Sequence, residues 1–173
     1  GTRQRVYDSG YEWLTHSVVP IHIEDTDFRV RIGGENCAKP YEASIYNISA
    51  MSFGALSANA IHTLNIGAKK GGFAHDTGEG GISRYHKEGG GDLIYEIGSG
   101  YFGCRTPDGR FDVEKFREQA ANPQVKLIEL KLSQGAKPGH GGMLPASKIS
   151  EEIAEARGIP MGQDCVSPAA HPE

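Results

Sequence analysis

No cysteines stand at CxxC spacing, and the chain's three, Cys37, Cys104 and Cys165, lie far apart. An odd, sparse set argues against a disulfide framework and fits a reducing compartment, so a cytoplasmic location is expected. No apolar run approaches the roughly 20 residues that a membrane-spanning helix needs. No secretory signal opens the sequence, which begins Gly1-Thr2-Arg3 without a methionine, as a processed or cut chain would. A basic excess is also missing. The net charge of −4 gives no electrostatic reason for a nucleic acid or acidic lipid as partner. Neither GxGxxG nor GxxxxGK(S/T) occurs, which removes the usual dinucleotide and P-loop fingerprints. His75, Asp76 and His86 lack HExxH-like spacing and a matching cysteine. They read as scattered surface polar residues, and no metal site is expected.

Glycine is what the chain has in excess. It carries 24 in 173 residues, roughly twice the usual share of about 7%. They cluster, which points to shaped loops rather than a flexible linker. The length suits one domain with a real hydrophobic core.

Residues 1–44 read as an N-terminal extension with a short β-hairpin. Ile21 and Ile23, then Phe28, Val30 and Ile32, alternate with polar residues on either side of a polar turn at 24–27. From residue 45 the pattern changes to strands alternating with helices. Residues 45–51 suit a buried strand. Gly54 interrupts the run, and Ser57 is placed to cap a helix with Ile61, Leu64 and Ala68 on one face, stopped at Gly71-Gly72. A strand over 93–97, a helix capped by Asp112, a buried strand over 126–132, a helix capped by Ser150 and a last strand over 164–167 follow. That alternation predicts a parallel sheet with its glycine loops at the carboxyl ends of the strands, the functional edge of such sheets. About four strand–helix units fit, whereas a complete eight-unit barrel takes about 250 residues. Residues 45–173 therefore read as the first part of an incomplete (β/α) barrel.

Three loops carry candidate chemistry. In residues 51–57, Ser52 offers a hydroxyl and Gly54 lets a flat ligand approach the backbone; the same residues also suit a plain strand-to-helix turn. In residues 77–81, Glu79 stands among glycines, placed to handle a proton or bind an amine, or simply solvated. In residues 131–142, Lys131 lies inside an apolar strand, where a buried ammonium needs an anion or polar partner. Lys137 follows on a glycine loop able to turn N–H groups toward an anion. Together they suit a carboxylated or phosphorylated ligand, against the alternative of a snorkelling Lys131 and a solvated Lys137.

The stretches ISAMSFGALS, HDTGEGG, EIGSGYFG and LKLSQGAKPGHGG occur in this order. The chain, from about residue 33 to its end, thereby resembles the FMN-binding synthase domain of glutamate synthases, and most of all the shorter proteins of that family without a glutaminase domain. The resemblance implies a TIM-type (β/α)8 barrel with FMN at the carboxyl ends of its strands. It implies an oxidoreductase acting on CH–NH2 donors, which reductively aminates 2-oxoglutarate with ammonia to give glutamate. Carried over position by position, Ala50, Met51, Ser52 and Gly54 would line the flavin, and Ser99 and Gly100 would lie near its edge. Lys131 would sit at the pyrimidine end, where a fixed cation stabilises the reduced ring. Gln134 and Lys137 would face substrate carboxylates, and Glu79 would be the proton-handling or ammonia-side residue, catalytic with Lys131. The electron donor stays open.

Two departures from the family pattern matter. Full glutamate synthases read EGGQLPG where this chain has residues 140–146 as HGGMLPA. Loss of a glutamate and a glutamine, with His140 and Met143 in this stretch, puts 2-oxoglutarate in doubt, because hydrogen-bonding groups set specificity strongly. The family's later phosphate-binding loops and iron–sulfur cysteines have no counterpart in these 173 residues. The expectation is weak or no flavin binding by this chain alone, and no activity. Two alternatives stand beside this reading: an FMN barrel acting on another 2-oxo or 2-hydroxy acid, and a non-catalytic half barrel that pairs with a second copy.

Overall fold

Alternation of short strands with capped helices gives this chain an α/β architecture around a parallel sheet. A computed structural model describes residues 5–13, 15–24, 28–135, 137 and 139–172. Seven strands and four α-helices are assigned among them. They are β1 (Arg29–Ile32), β2 (Tyr41–Ser44), α1 (Ala58–Gly71), β3 (Ala74–Asp76), α2 (Arg84–Glu88), β4 (Asp92–Ile97), α3 (Val113–Ala120), β5 (Val125–Leu130), β6 (Met143–Leu144), α4 (Glu151–Arg157) and β7 (Cys165–Val166).

The central sheet has the order β3-β4-β5, with β4 parallel to both neighbours. Crossovers through α2 and α3 return the chain to the same edge each time, as parallel strands require. The sheet is not closed into a barrel among the described residues.

The caps fall where side-chain chemistry places them. Ser57 accepts from the Ala60 amide at 3.2 Å, Asp112 from Glu114 and Lys115 at 3.1 Å each, and Ser150 from Ile153 at 3.3 Å. Gly72 and Gly158 end α1 and α4 in the left-handed conformation. On α1 the buried face is Ile61, Asn65 and Ala68 rather than the all-apolar set with Leu64. Asn65 is anchored there by its carbonyl oxygen, which accepts from the Gly91 amide at 3.0 Å, while its amide nitrogen is buried without a partner. Two apolar clusters flank the sheet. One gathers Phe53, Ile61, Phe102, Ile149, Ile153 and Cys165; the other gathers Ile82, Leu93, Tyr95, Ile97, Tyr101 and Cys104.

Four expectations are corrected. The hairpin exists, but it pairs β1 with β2, antiparallel from Arg29↔Ser44 to Ile32↔Tyr41. Ile21 and Ile23 are exposed and outside any strand, and 25–27 of the expected turn lie outside the described residues. The polar stretch 33–40 is the true connection, because the apolar alternation of β1 finds its register with β2. Residues 45–51 do not form a full strand. Ile45 and Tyr46 are exposed, and the segment is tied to β3 by a parallel bridge at Ile48↔His75, by the Ala74 N–H donating to Asn47 Oδ1 at 3.0 Å and by the Met51 N–H donating to the Asp76 carbonyl at 3.1 Å. Strand β5 is largely exposed: Ile128 and Leu130, two residues apart, share an open face, Leu132 just past the strand is open too, and no described strand pairs with its outer edge. The last strand, β7, is two residues long and pairs antiparallel with β6, so it does not extend the parallel sheet.

Candidate functional site

Loops at the carboxyl ends of parallel strands converge, because each strand ends at a similar height. Here residues 48–51, β3, β4 and β5 lie side by side, and the chain leaves them into 51–56, 77–81, 98–103 and 131–142. A recess of about 300 Å³ opens at this edge. It is lined by Ala50, Met51 and Ser52, by Ala55 and Leu56, by Gly78 and Glu79, and by Glu96 and Lys131.

Lys131 follows the last residue of β5, and its amide still donates to the Ile97 carbonyl at 3.0 Å. That backbone bond fixes the side chain over the end of the sheet. Its Nζ lies 3.6 Å from a carboxylate oxygen of Glu96 and 3.7 Å from one of Glu79. Glu79 is held a second time, since the Gln134 amide nitrogen lies 2.8 Å from both of its oxygens. Close approach by Glu79 requires glycine at 98, where a Cβ would collide with the Glu79 side chain. Gly78, at φ +66°, likewise passes so near the 51–52 backbone that a Cβ would stand 2.7 Å from the Ser52 nitrogen.

The backbone at Met51 has its own anchor. His86 Nδ1 accepts from the Ser83 amide at 3.1 Å, which leaves the proton on Nε2 to donate to the Met51 carbonyl at 2.9 Å. Burial pushes His86 down to about 4, against the effect of that carbonyl, so the ring is neutral at pH 7. Beside it, His75 is fully buried, has no hydrogen-bond partner for either ring nitrogen, and is also pushed to about 4 by burial and by His86. Asp76 is buried as well. Burial, with Glu96 and Glu129 nearby, pushes its carboxyl up to about 7, while the Gly78 N–H donates to it at 2.8 Å and opposes that shift. The reading of His75, Asp76 and His86 as surface residues is therefore wrong. A three-residue strand whose one apolar residue is Ala74 carries no apolar pattern, and its place between the 48–51 segment and β4 buries His75 and Asp76.

The structure brings Ala50, Met51, Ser52, Glu79 and Lys131 to one recess and joins Gln134 to it through Glu79. Gly54 lies just beyond, at φ +99° and against Ile153 of α4. Ser99 and Gly100 are buried but do not line the recess; the Ser99 hydroxyl donates to the Pro168 carbonyl, and Gly100 packs near Phe102 and Ser167. Lys137 is exposed and lies outside it. Met143, on β6, is 68% exposed and not part of the lining. Glu96 is the residue that sequence reasoning missed. The signal that singled out Lys131, a charge inside an apolar strand, marks Glu96 within 93–97 equally. Burial raises the Glu96 carboxyl above its ordinary value, and Lys131 holds it back. A larger cavity of about 500 Å³ lies between α2, α3 and α4, contains none of the expected site residues, and has Arg84 on its rim paired with Glu152.

Comparison with known sequences adds a family to this geometry. Residues 13–173 match the pattern described as a conserved region in glutamate synthase. The chain belongs to the glutamate synthase family. It is 42% identical over 151 residues to a glutamate synthase large subunit-like protein, YerD, of Bacillus subtilis, covering 86% of this chain and 28% of that protein. It is 36% identical over 148 residues to an archaeal-type glutamate synthase [NADPH] of Thermotoga maritima, covering 86% of this chain and 27% of the relative. A glutamate synthase large subunit-like protein of Rhizobium meliloti is 34% identical over 151 residues, covering 87% and 31%. The chain thus spans less than a third of these relatives. No described helix is long and apolar enough to cross a membrane.

Proposed function

We propose that this chain builds one wall of the flavin site in a glutamate-synthase-like oxidoreductase, one that reductively aminates a 2-oxo acid, 2-oxoglutarate being the first candidate. The observation that carries it is the recess at the strand ends, where the 50–52 backbone, Glu79 and Lys131 meet. The residues present fit an FMN ring. Ala50, Met51, Ala55 and Leu56 offer an apolar face, Ser52 offers a hydroxyl, and Lys131 offers a cation at one end. Reduced FMN, when bound, would supply the hydride. Residues 1–44 would then be an extension to the first strands of a TIM-type barrel, with the sheet's open edge at β5 available to further strands.

What this chain's own residues do follows from their contacts. Lys131 holds a positive charge whose balance depends on Glu79 and Glu96. Gln134 and Lys131 both already grip a carboxylate, that of Glu79. An anionic 2-oxo acid would compete with Glu79 for those same groups, and its arrival would release the Glu79 carboxylate to accept a proton from the substrate nitrogen. Lys137, exposed on its loop, is the second cation for the substrate's far carboxylate. The sequence HGGMLPA over residues 140–146 keeps another 2-oxo acid as the alternative substrate, although Met143 lies outside the recess. Iron–sulfur ligands and the electron-donor site would belong to segments beyond these 173 residues.

The test is a visible spectrum of the protein carrying this segment after incubation with FMN and desalting. Retained flavin absorbance that Lys131→Ala weakens supports the reading; colourless protein ends it. The open β5 edge, with Ile128, Leu130 and Leu132 exposed, favours a second reading in which the chain pairs with another copy. A defined dimer of this chain by sedimentation, together with no flavin uptake, would favour that one.

A further inference from the structure

Arg157, the last residue of α4, is a buried cation, only 7% exposed. It belongs to none of the ion pairs among the described residues. Burying a guanidinium without a counter-ion is costly, and its Nε has no hydrogen-bond partner either. The contacts it does make all go to loops of the sheet's carboxyl edge and to β7. One terminal nitrogen donates to the Phe53 carbonyl at 3.3 Å, and the other lies 3.7 Å from Cys165 Sγ. The guanidinium lies over the Phe102 ring, 5.2 Å from its centroid. The Arg157 carbonyl accepts from the Gly103 amide at 3.1 Å. A Cβ on Gly80 would stand 3.1 Å from the guanidinium, so the 78–81 loop rests against it too.

Phe53 adjoins Ser52, Gly80 adjoins Glu79, and Phe102 shares a loop with Ser99 and Gly100. Three loops that carry expected site residues therefore meet at one planar group. We propose that Arg157 is a positioning residue: its guanidinium plane fixes loops 51–54, 78–81 and 98–103 against one another and so sets the spacing of Ser52 and Glu79 across the recess. A lysine keeps the charge but has neither the planar stacking face nor two separated donors, so it cannot span the same three loops. The consequence for flavin rests on the function proposed above; the positioning itself does not.

Hydrogen exchange tests it directly. In Arg157→Lys, the amides of Gly54, Leu56, Gly78 and Tyr101, each bonded within these loops or at their base, should exchange at least about tenfold faster. The amides of Leu93 and Ile61, bonded outside the loops, should change by less than about twofold on the same measurement. Phe102→Leu, which removes the stacking face and leaves the arginine, should loosen the 51–54 and 78–81 loops as well and keeps the idea testable if the first variant folds poorly. Uniform acceleration across both sets would make Arg157 a general stabiliser and overturn the proposal, as would unchanged loop amides in either variant. In the protein carrying this segment, Arg157→Lys should raise the FMN dissociation constant about tenfold, the effect of a misplaced wall on a preorganised site. If the unsubstituted protein takes up no FMN, the flavin reading fails while the exchange pattern still decides the role of Arg157.

Discussion

Replacing Lys131 by methionine should turn Glu96 from a paired into an orphaned buried carboxylate. The Glu96 side chain is 3% exposed and that of Lys131 28%, with 3.6 Å between their charged atoms. At that distance and an effective dielectric near 20, the attraction is about 5 kcal/mol. Partial solvation of Lys131 brings the expected loss nearer 3 kcal/mol, at the lower end of what breaking a buried pair costs. The loss has a pH signature. Without Lys131, the folded-state Glu96 titrates further above its unfolded value, so the folded protein binds the extra proton and stability falls as pH rises. Relative to the parent, the variant should lose less at pH 5 than at pH 8, the loss growing toward about 3 kcal/mol at no more than about 1.4 kcal/mol per pH unit. Urea unfolding at the two pH values reads this out. Glu96→Gln in the Lys131→Met background should recover most of the pH 8 loss, because the more deeply buried charge is then gone and Glu79, 19% exposed, keeps Gln134. A loss that is the same at both pH values, or one that Glu96→Gln fails to relieve, would refute the reasoning.

Further outcomes follow from other contacts. His75 and His86, both pushed to about 4 from 6.5, bind protons only after unfolding, so each withdraws stability as pH falls from 6.5 toward 4, to a limit of about 3 kcal/mol. Asp76, raised from 3.8 to about 7, acts in the opposite direction across much of that window. Asp76→Asn, whose carbonyl still accepts from Gly78, should therefore stabilise the chain at pH 8 by up to about 4 kcal/mol and leave it unchanged at pH 4; acid titration followed by circular dichroism checks both arms. Gly78→Ala should cost about 2 kcal/mol by thermal or urea unfolding, since φ is +66° and the added Cβ meets the Ser52 nitrogen. Ser57→Ala removes the cap on α1 and should cost about 1 kcal/mol in the same assay.

Local chemistry was legible in the sequence wherever one residue type does one job. Ser57, Asp112 and Ser150 cap helices because a short side-chain oxygen reaches its own first-turn amides, and Gly72 and Gly158 end helices because they accept positive φ. The four ordered motifs carried the family, and the strand-then-glycine order carried the placement of Ser52, Glu79 and Lys131 at one edge. Pairing and burial were decided elsewhere. Whether β1 found Ile21 and Ile23 or Tyr41–Ser44 depended on register between segments that the alternation alone does not specify. That His75 and Asp76 are buried, that Glu96 shares Lys131, and that Arg157 joins three loops all depend on neighbours distant in the chain. A polar residue's environment is set by what packs over it, and only the assembled sheet and α4 supply that cover.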